Sequence, residues 1–269
     1  MVNTLTLDIE RNRRNISGDI SGCNMVFAGP PGTAKTTLAR EFARILSERR
    51  LIPGIENFRE CVKSDIVGQY VGQTARQVDN MFRELNHNGG GVIFFDEIYS
   101  LSEKDSTSYD KEAVTCIIKN MEDYRNGIFC IFAGYENKMK EFMESNPGLN
   151  SRITTTIRFK AYDNETLCRI FDNILQKNNF KVKGEYTDIL TGFFDKLRVF
   201  RKESFGNGRE TRNLFENAKR IMAGRVCKQK KYTKALLTTI YAEEIKKASD
   251  EILNSVIKDN VSERKAIGF

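Results

Sequence analysis

Two unbroken apolar runs, VIFF at residues 92–95 and IFCIF at residues 128–132, constrain the fold of this chain more than any other feature. A strand with one wet face alternates apolar and polar residues. An unbroken run instead suits a strand buried on both faces, in a parallel sheet covered by helices. Strand-like segments at Asn24–Ala28, Phe58–Lys63, Gly91–Phe95, Ile128–Ala133 and Thr155–Phe159 alternate with helical patterns at Lys35–Arg50, Ala75–Asn86, Lys111–Asp123 and Asn137–Glu144. The alternation predicts an α/β domain over residues 1–160, a doubly wound parallel sheet of five strands. After Lys160 the strand-like runs stop. Helical stretches near 163–178, 186–203, 208–229 and 237–258 predict a smaller α-helical domain over residues 161–269. Asp163 is placed to cap the first of these helices. Thr166 stands three positions on, where a full capping box has Glu or Gln.

A chain of 269 residues is long enough for one full-sized domain and a smaller one. No apolar run approaches the roughly 18–20 residues of a membrane span, and the N-terminal residues carry no apolar secretory core. The reading is a cytoplasmic protein with no membrane partner. Six scattered cysteines form no C-x-x-C pair, which reads as reduced thiols, several of them buried. His87 is the only histidine, and its setting, NHNGGG, is a helix-ending loop. Zinc sites and histidine-based triads therefore find little support. The net charge of +7 arises entirely from residues 161–269. A basic face suits nucleic acid or another acidic partner; the plainer reading is a solvated helix face.

The segment Gly29-Pro30-Pro31-Gly32-Thr33-Ala34-Lys35-Thr36-Thr37 directly follows the strand NMVFA and opens the helical pattern LAREFARIL. In that context the glycines, lysine and hydroxyls have a chemical purpose. Successive backbone N–H groups wrap a phosphate, and the helix N-terminus adds the positive end of its dipole. Lys35 reaches the β- and γ-phosphates, and the Thr36 hydroxyl ligates Mg²⁺. Ala34 stands where the phosphate-loop pattern has its second glycine. A residue entering a helix requires no positive φ, so the extra methyl is expected to be tolerated.

Val92-Ile-Phe-Phe-Asp-Glu97 is an independent element. A buried strand that ends in two acids gives them work at the sheet's C-terminal edge, where ligands bind in open α/β sheets. Asp96 is assigned to Mg²⁺, and Glu97 to orienting and deprotonating the attacking water.

With these two elements in place, the segments GPPGTAKTTLAR, SDIVGQYVGQTARQVDNMF, GGVIFFDEIYSL, IFAGYENKMKEFMESNPGLNSRI and FGNGRETRNLFENA resemble the AAA+ ATPases, in the order found there. They look most like the branch containing stage V sporulation protein K and the red-type rubisco activase. The resemblance spans about residues 24–225 and implies a P-loop domain with a C-terminal helical lid. It also implies ATP and Mg²⁺ as cofactors and a homo-oligomeric ring of six subunits. Arg152, in SNPGLNSRI, matches the arginine finger that enters the neighbouring subunit's site. Arg209 and Arg212, in GNGRETRN, match the sensor-2 region, with Arg209 favoured. Tyr135 lies near the sensor-1 position, beside Asn137. Tyr70-Val71-Gly72 matches the loop that faces the pore and contacts a protein substrate. Relatives carry an apolar, glycine-containing segment and a helix ahead of the first strand that help to hold adenine. The corresponding residues here are polar (DIERNRRNISGDISG), so an incomplete adenine pocket is expected.

Three functional readings follow. The first is a Mg²⁺-dependent ring ATPase that remodels a protein partner through its central pore. The second is a nucleotide-binding scaffold with little turnover. The third is a nucleic-acid remodeller working through the basic lid.

Overall fold

The computed structural model describes Leu7 and residues 24–68, 70, 72–103 and 106–266, with side chains to Lys258. The polar stretch ahead of Asn24, tied above to the adenine pocket, lies outside the described residues, as do Cys23 and Val71 of the Tyr70 loop.

The chain forms two compact units. One comprises the residues up to Gly29 together with Ala34–Phe159; the other comprises Pro30–Thr33 and the residues from Lys160 onward. In the first unit, β1 (Asn24–Ala28), β2 (Phe58–Cys61), β3 (Gly91–Asp96), β4 (Ile128–Gly134) and β5 (Ile153–Arg158) form one sheet in the order β2-β3-β4-β1-β5. Every pairing is parallel. The helices α1 (Lys35–Glu48), α2 (Gln73–His87), α3 (Ser108–Asp123) and α4 (Glu136–Glu144) connect the strands.

The apolar runs behave as their pattern dictates. Val92, Ile93, Phe94 and Phe95 are fully buried, as are Phe129–Phe132 on the neighbouring strand. Phe95 and Phe132 stack at 5.0 Å on one face of the sheet. They belong to a different apolar cluster from Phe94 and Ile131, which pack with Ala39, Ala43 and Leu46 of α1. The outer strands differ. β5 alternates half-buried and exposed residues along its length. β2 carries Arg59 and Glu60, paired with Glu84 and Arg40 at 2.8 and 2.7 Å. Charges on an outer strand oppose pairing with another chain.

The second unit contains α5 (Asn164–Lys177), α6 (Thr187–Arg201), α7 (Gly208–Val226) and α8 (Ala242–Ala266) around a core that includes Phe171, Phe193, Phe194 and Phe215. Asp163 caps α5, accepting the Thr166 N–H at 2.7 Å. The expectation of helices alone is corrected by two three-residue strands, Lys181–Lys183 and Thr239–Tyr241, which pair in parallel. Each sets one central apolar side chain against the helical core, Ile240 fully buried and Val182 partly, too few to leave a periodic signal. The helix expected over 237–258 accordingly begins at Ala242, after a one-turn helix at Lys234–Thr238. His87 is the last residue of α2 and is exposed. Among the described residues no helix is long and apolar enough to cross a membrane, and no cluster of His, Cys, Asp or Glu is arranged to hold a metal.

Candidate functional site: a phosphate loop and an acidic strand end

Strand register brings the two motifs to one edge of the sheet. Ala133 of β4 is in register with both Asp96 of β3 and Phe27 of β1. Asp96 therefore lies two strands, about 10 Å, from the end of β1, where the glycine-rich loop begins. Gly29 is tied to that edge by its N–H, which donates to Gly134 O at 3.0 Å.

The loop leads into α1, and its donor set suits an anion. No side chain caps the N-terminus of α1, and its first turn holds no acid. The first-turn N–H groups are thus not satisfied by a side-chain cap. Lys35 Nζ donates to Gly29 O at 2.9 Å, which draws the ammonium back over the loop. Thr36 is half-buried and Thr37 exposed in the same turn. This is the chemistry a polyphosphate requires: peptide donors, a dipole and one cation.

Ala34 requires a correction. Its backbone is left-handed, φ 66° and ψ 27°, immediately before the helix. The position does demand a positive φ. The turn from loop into α1 is closed at this residue, so the glycine it replaces served backbone conformation as well as space. Within the second unit, Pro30–Thr33 is held by the segment ahead of α7. Gly208 N–H donates to Gly32 O at 3.1 Å, and Asn207 Nδ2 donates to Pro31 O at 3.1 Å. A side chain at Gly32, where φ is +68°, would collide with Gly206 O. Asn207 is fully buried, and its Oδ1 also accepts the Tyr162 N–H at 2.9 Å. Arg209 follows directly, exposed, and Arg212 lies exposed on α7. The sequence reading did not single out Asn207. A lone asparagine between two glycines signals a turn, and its partners are separated from it by up to 176 residues.

At the acidic end, Asp96 closes β3, and Glu97 follows with a left-handed backbone at φ 52°. A 3₁₀ turn, Ile98–Leu101, comes next. Tyr135 stands half-buried one residue past β4, with its ring edge against that of Tyr99 at 6.2 Å; Asn137 is exposed. The loop after β2 is bound to this region by Lys63. Its Nζ meets buried Asp110 at 2.8 Å and donates to Ser100 O at 3.1 Å. Burial pushes the Asp110 carboxyl up, but Lys63 and the Thr107 amide and hydroxyl outweigh this and hold it below the usual carboxylate range.

Arg152 is not brought to this edge. Its carbonyl accepts a hydrogen bond from Asn24 Nδ2 at 3.2 Å, at the opposite end of β1. Five residues of strand, about 16 Å, separate that end from the glycine-rich loop. An extended arginine side chain does not span this distance. Arg152 instead pairs with Glu122 at 3.1 Å and donates to Gly148 O at 3.0 Å. Tyr70 is 73% exposed. It is therefore not a core aromatic.

Comparison with known proteins agrees with the fold. Residues 25–161 match the family "ATPase family associated with various cellular activities (AAA)", and residues 163–255 match the AAA lid domain. A CfxQ homologue from Pyropia yezoensis is 35% identical over 246 residues, covering 89% of this chain and 80% of its own. A chloroplastic ribulose bisphosphate carboxylase/oxygenase activase from Cyanidioschyzon merolae is 35% identical, with 91% and 82% covered. Stage V sporulation protein K from Bacillus subtilis is 31% identical, with 82% and 68% covered. The crystal structure of the FIGL-1 AAA domain superposes with a TM-score of 0.63 at 16% identity, covering 98% of this chain and 84% of that one, and shows the shared fold. The chain belongs to the AAA family of ATPases, in the branch with these CfxQ-like, rubisco activase and stage V sporulation protein K relatives, and it is an ATP hydrolase.

Proposed function

We propose that the chain assembles into a ring, of six subunits by family resemblance, and couples Mg²⁺-dependent ATP hydrolysis to remodelling of a protein partner through a central pore. The observation that carries this reading is the separation of Arg152 from its own phosphate loop by the length of β1. An arginine that serves hydrolysis from that end of the sheet has to serve a neighbour's site.

The loop Gly29–Thr37 would hold the phosphates of ATP through its N–H groups and Lys35. Thr36 and Asp96 are the residues that would hold Mg²⁺, which supplies charge neutralisation at the phosphates when bound. Glu97 would orient the attacking water and take its proton. Arg209, on the segment that holds Pro30–Thr33, would report on the nucleotide as sensor 2, with Arg212 one turn further along. Tyr135 would serve near the sensor-1 position. Tyr70, aromatic and exposed, would grip a passing chain without reading its sequence. The five described cysteines are free thiols, which fits a reducing, cytoplasmic setting.

The test uses two variants, Glu97→Gln and Arg152→Ala. Each alone is expected to bind ATP and to turn over little. Mixed, they should regain part of the activity, because some interfaces then pair an intact Glu97 with an intact Arg152. Mixed rings that demonstrably form and stay inactive would refute the assignment across subunits.

A further inference from the structure

A catalytic carboxylate on an exposed glutamate has several rotamers, of which few are useful. Glu97 is exposed, and its backbone sits in a left-handed conformation immediately after β3. Something must select one side-chain direction if the carboxylate is to meet a water in line with a phosphate. The side chain found on it is Tyr99, whose hydroxyl donates to Glu97 Oε2 at 2.5 Å.

Tyr99 is itself immobilised. It is 5% exposed. Its ring lies against the end of β4, where a Cβ on Gly134 would come within 2.6 Å of Tyr99 Cδ1. A residue with a side chain at position 134 would displace the ring. The Tyr135 ring contacts it edge-on, and the Lys138 ammonium lies 4.6 Å above its centroid, itself paired with Glu103 at 2.8 Å. The backbone is fixed as well, since Ser102 N–H donates to Tyr99 O at 2.9 Å within the 3₁₀ turn. Burial first, and then the bond to Glu97, push the Tyr99 hydroxyl far above its ordinary range. It therefore stays protonated and remains the donor.

We propose that Tyr99 is a positioning residue for ATP hydrolysis, a buried hydroxyl that fixes the Glu97 carboxylate in its working direction through a hydrogen bond to one oxygen and leaves the other for the attacking water. This rests on the reading of Glu97 as the base. The phenol does not touch substrate; it acts through the glutamate. It also makes the end of β4 part of the catalytic arrangement, because the ring it depends on occupies the space that Gly134 leaves open.

Tyr99→Phe removes one oxygen and keeps the ring in place, so folding and ATP binding are expected to survive. In the full-length protein kcat should fall ten- to a hundredfold, as for loss of a hydrogen bond to an ionised group. The KM for ATP, the Kd for ATP by calorimetry and the melting temperature should stay within error. Adding Tyr99→Phe to Glu97→Gln should lower kcat no further, because the group being positioned is already lost. If Glu97→Gln is inactive while Tyr99→Phe keeps kcat within twofold of wild type, the positioning role is overturned and the Glu97 assignment stands. If Glu97→Gln turns over normally, both fall. Should Tyr99→Phe lose kcat together with ATP affinity and melting temperature, the tyrosine is a packing residue and the proposal is refuted.

Discussion

Replacing Ala34 by glycine tests the left-handed turn directly, because the two readings of this position predict opposite signs. With φ at 66°, alanine suffers the contact between Cβ and the following carbonyl that left-handed backbone imposes, roughly 1–2 kcal/mol. Glycine relieves it but has more conformational freedom to lose on folding, about 0.4–1 kcal/mol. The difference leaves Ala34→Gly more stable by about 0.5–1 kcal/mol. In a chain of this size that is a rise in Tm of about 1–4 °C. Ala34 is exposed, so no packing is lost with the methyl. The assay is thermal unfolding of the nucleotide-free protein, with Ala34→Val as the counterpart. A β-branched side chain is a steric outlier at this φ and should lower Tm clearly. Were Ala34 instead an ordinary right-handed helical residue, glycine would destabilise by roughly 0.5–1 kcal/mol and valine by only about 0.5 kcal/mol. A fall in Tm for Ala34→Gly would refute the argument.

Other expectations follow from the same geometry. Lys35→Ala should abolish ATP binding, measured by titration calorimetry; unchanged affinity would remove Gly29–Thr37 as the site. Tyr70→Ala should leave Tm unaltered, since the side chain is 73% exposed, and should remove remodelling of a partner protein. A drop of the size seen for buried aromatics, about 3–5 kcal/mol, would exclude a pore-facing loop. Lys63→Met strands the buried Asp110 carboxylate and should destabilise by about 2–3 kcal/mol at neutral pH. The Asp110 carboxyl is held low in the folded chain. Its contribution is therefore present above the unfolded value, about pH 4, and is lost as the pH falls through the lower folded one. The deficit of Lys63→Met should shrink accordingly on acidification; a constant deficit in urea titrations from pH 7 to pH 3 would disprove this account.

Elements whose chemistry is local can be read from the chain alone. The five parallel strands were legible because VIFF and IFCIF bury both faces, and burial on two faces erases alternation. The glycine-rich loop was legible because peptide donors, lysine and a helix start are contiguous in the chain. Tertiary structure decided what depends on partners distant in sequence or on backbone conformation. The two short strands at 181–183 and 239–241 exist only through each other. The left-handed turn at Ala34 is invisible in a residue that is ordinarily a helix former. Asn207 looked like a turn residue and Lys63 like the end of a strand until Pro31, Tyr162, Asp110 and Ser100 were brought to them. Tyr99 is the same case at close range. It stands two positions after Glu97, yet only the 3₁₀ turn after β3 and the gap at Gly134 aim its hydroxyl at the carboxylate. Side-chain type can be read from sequence; side-chain direction is set by the packing of the whole sheet edge.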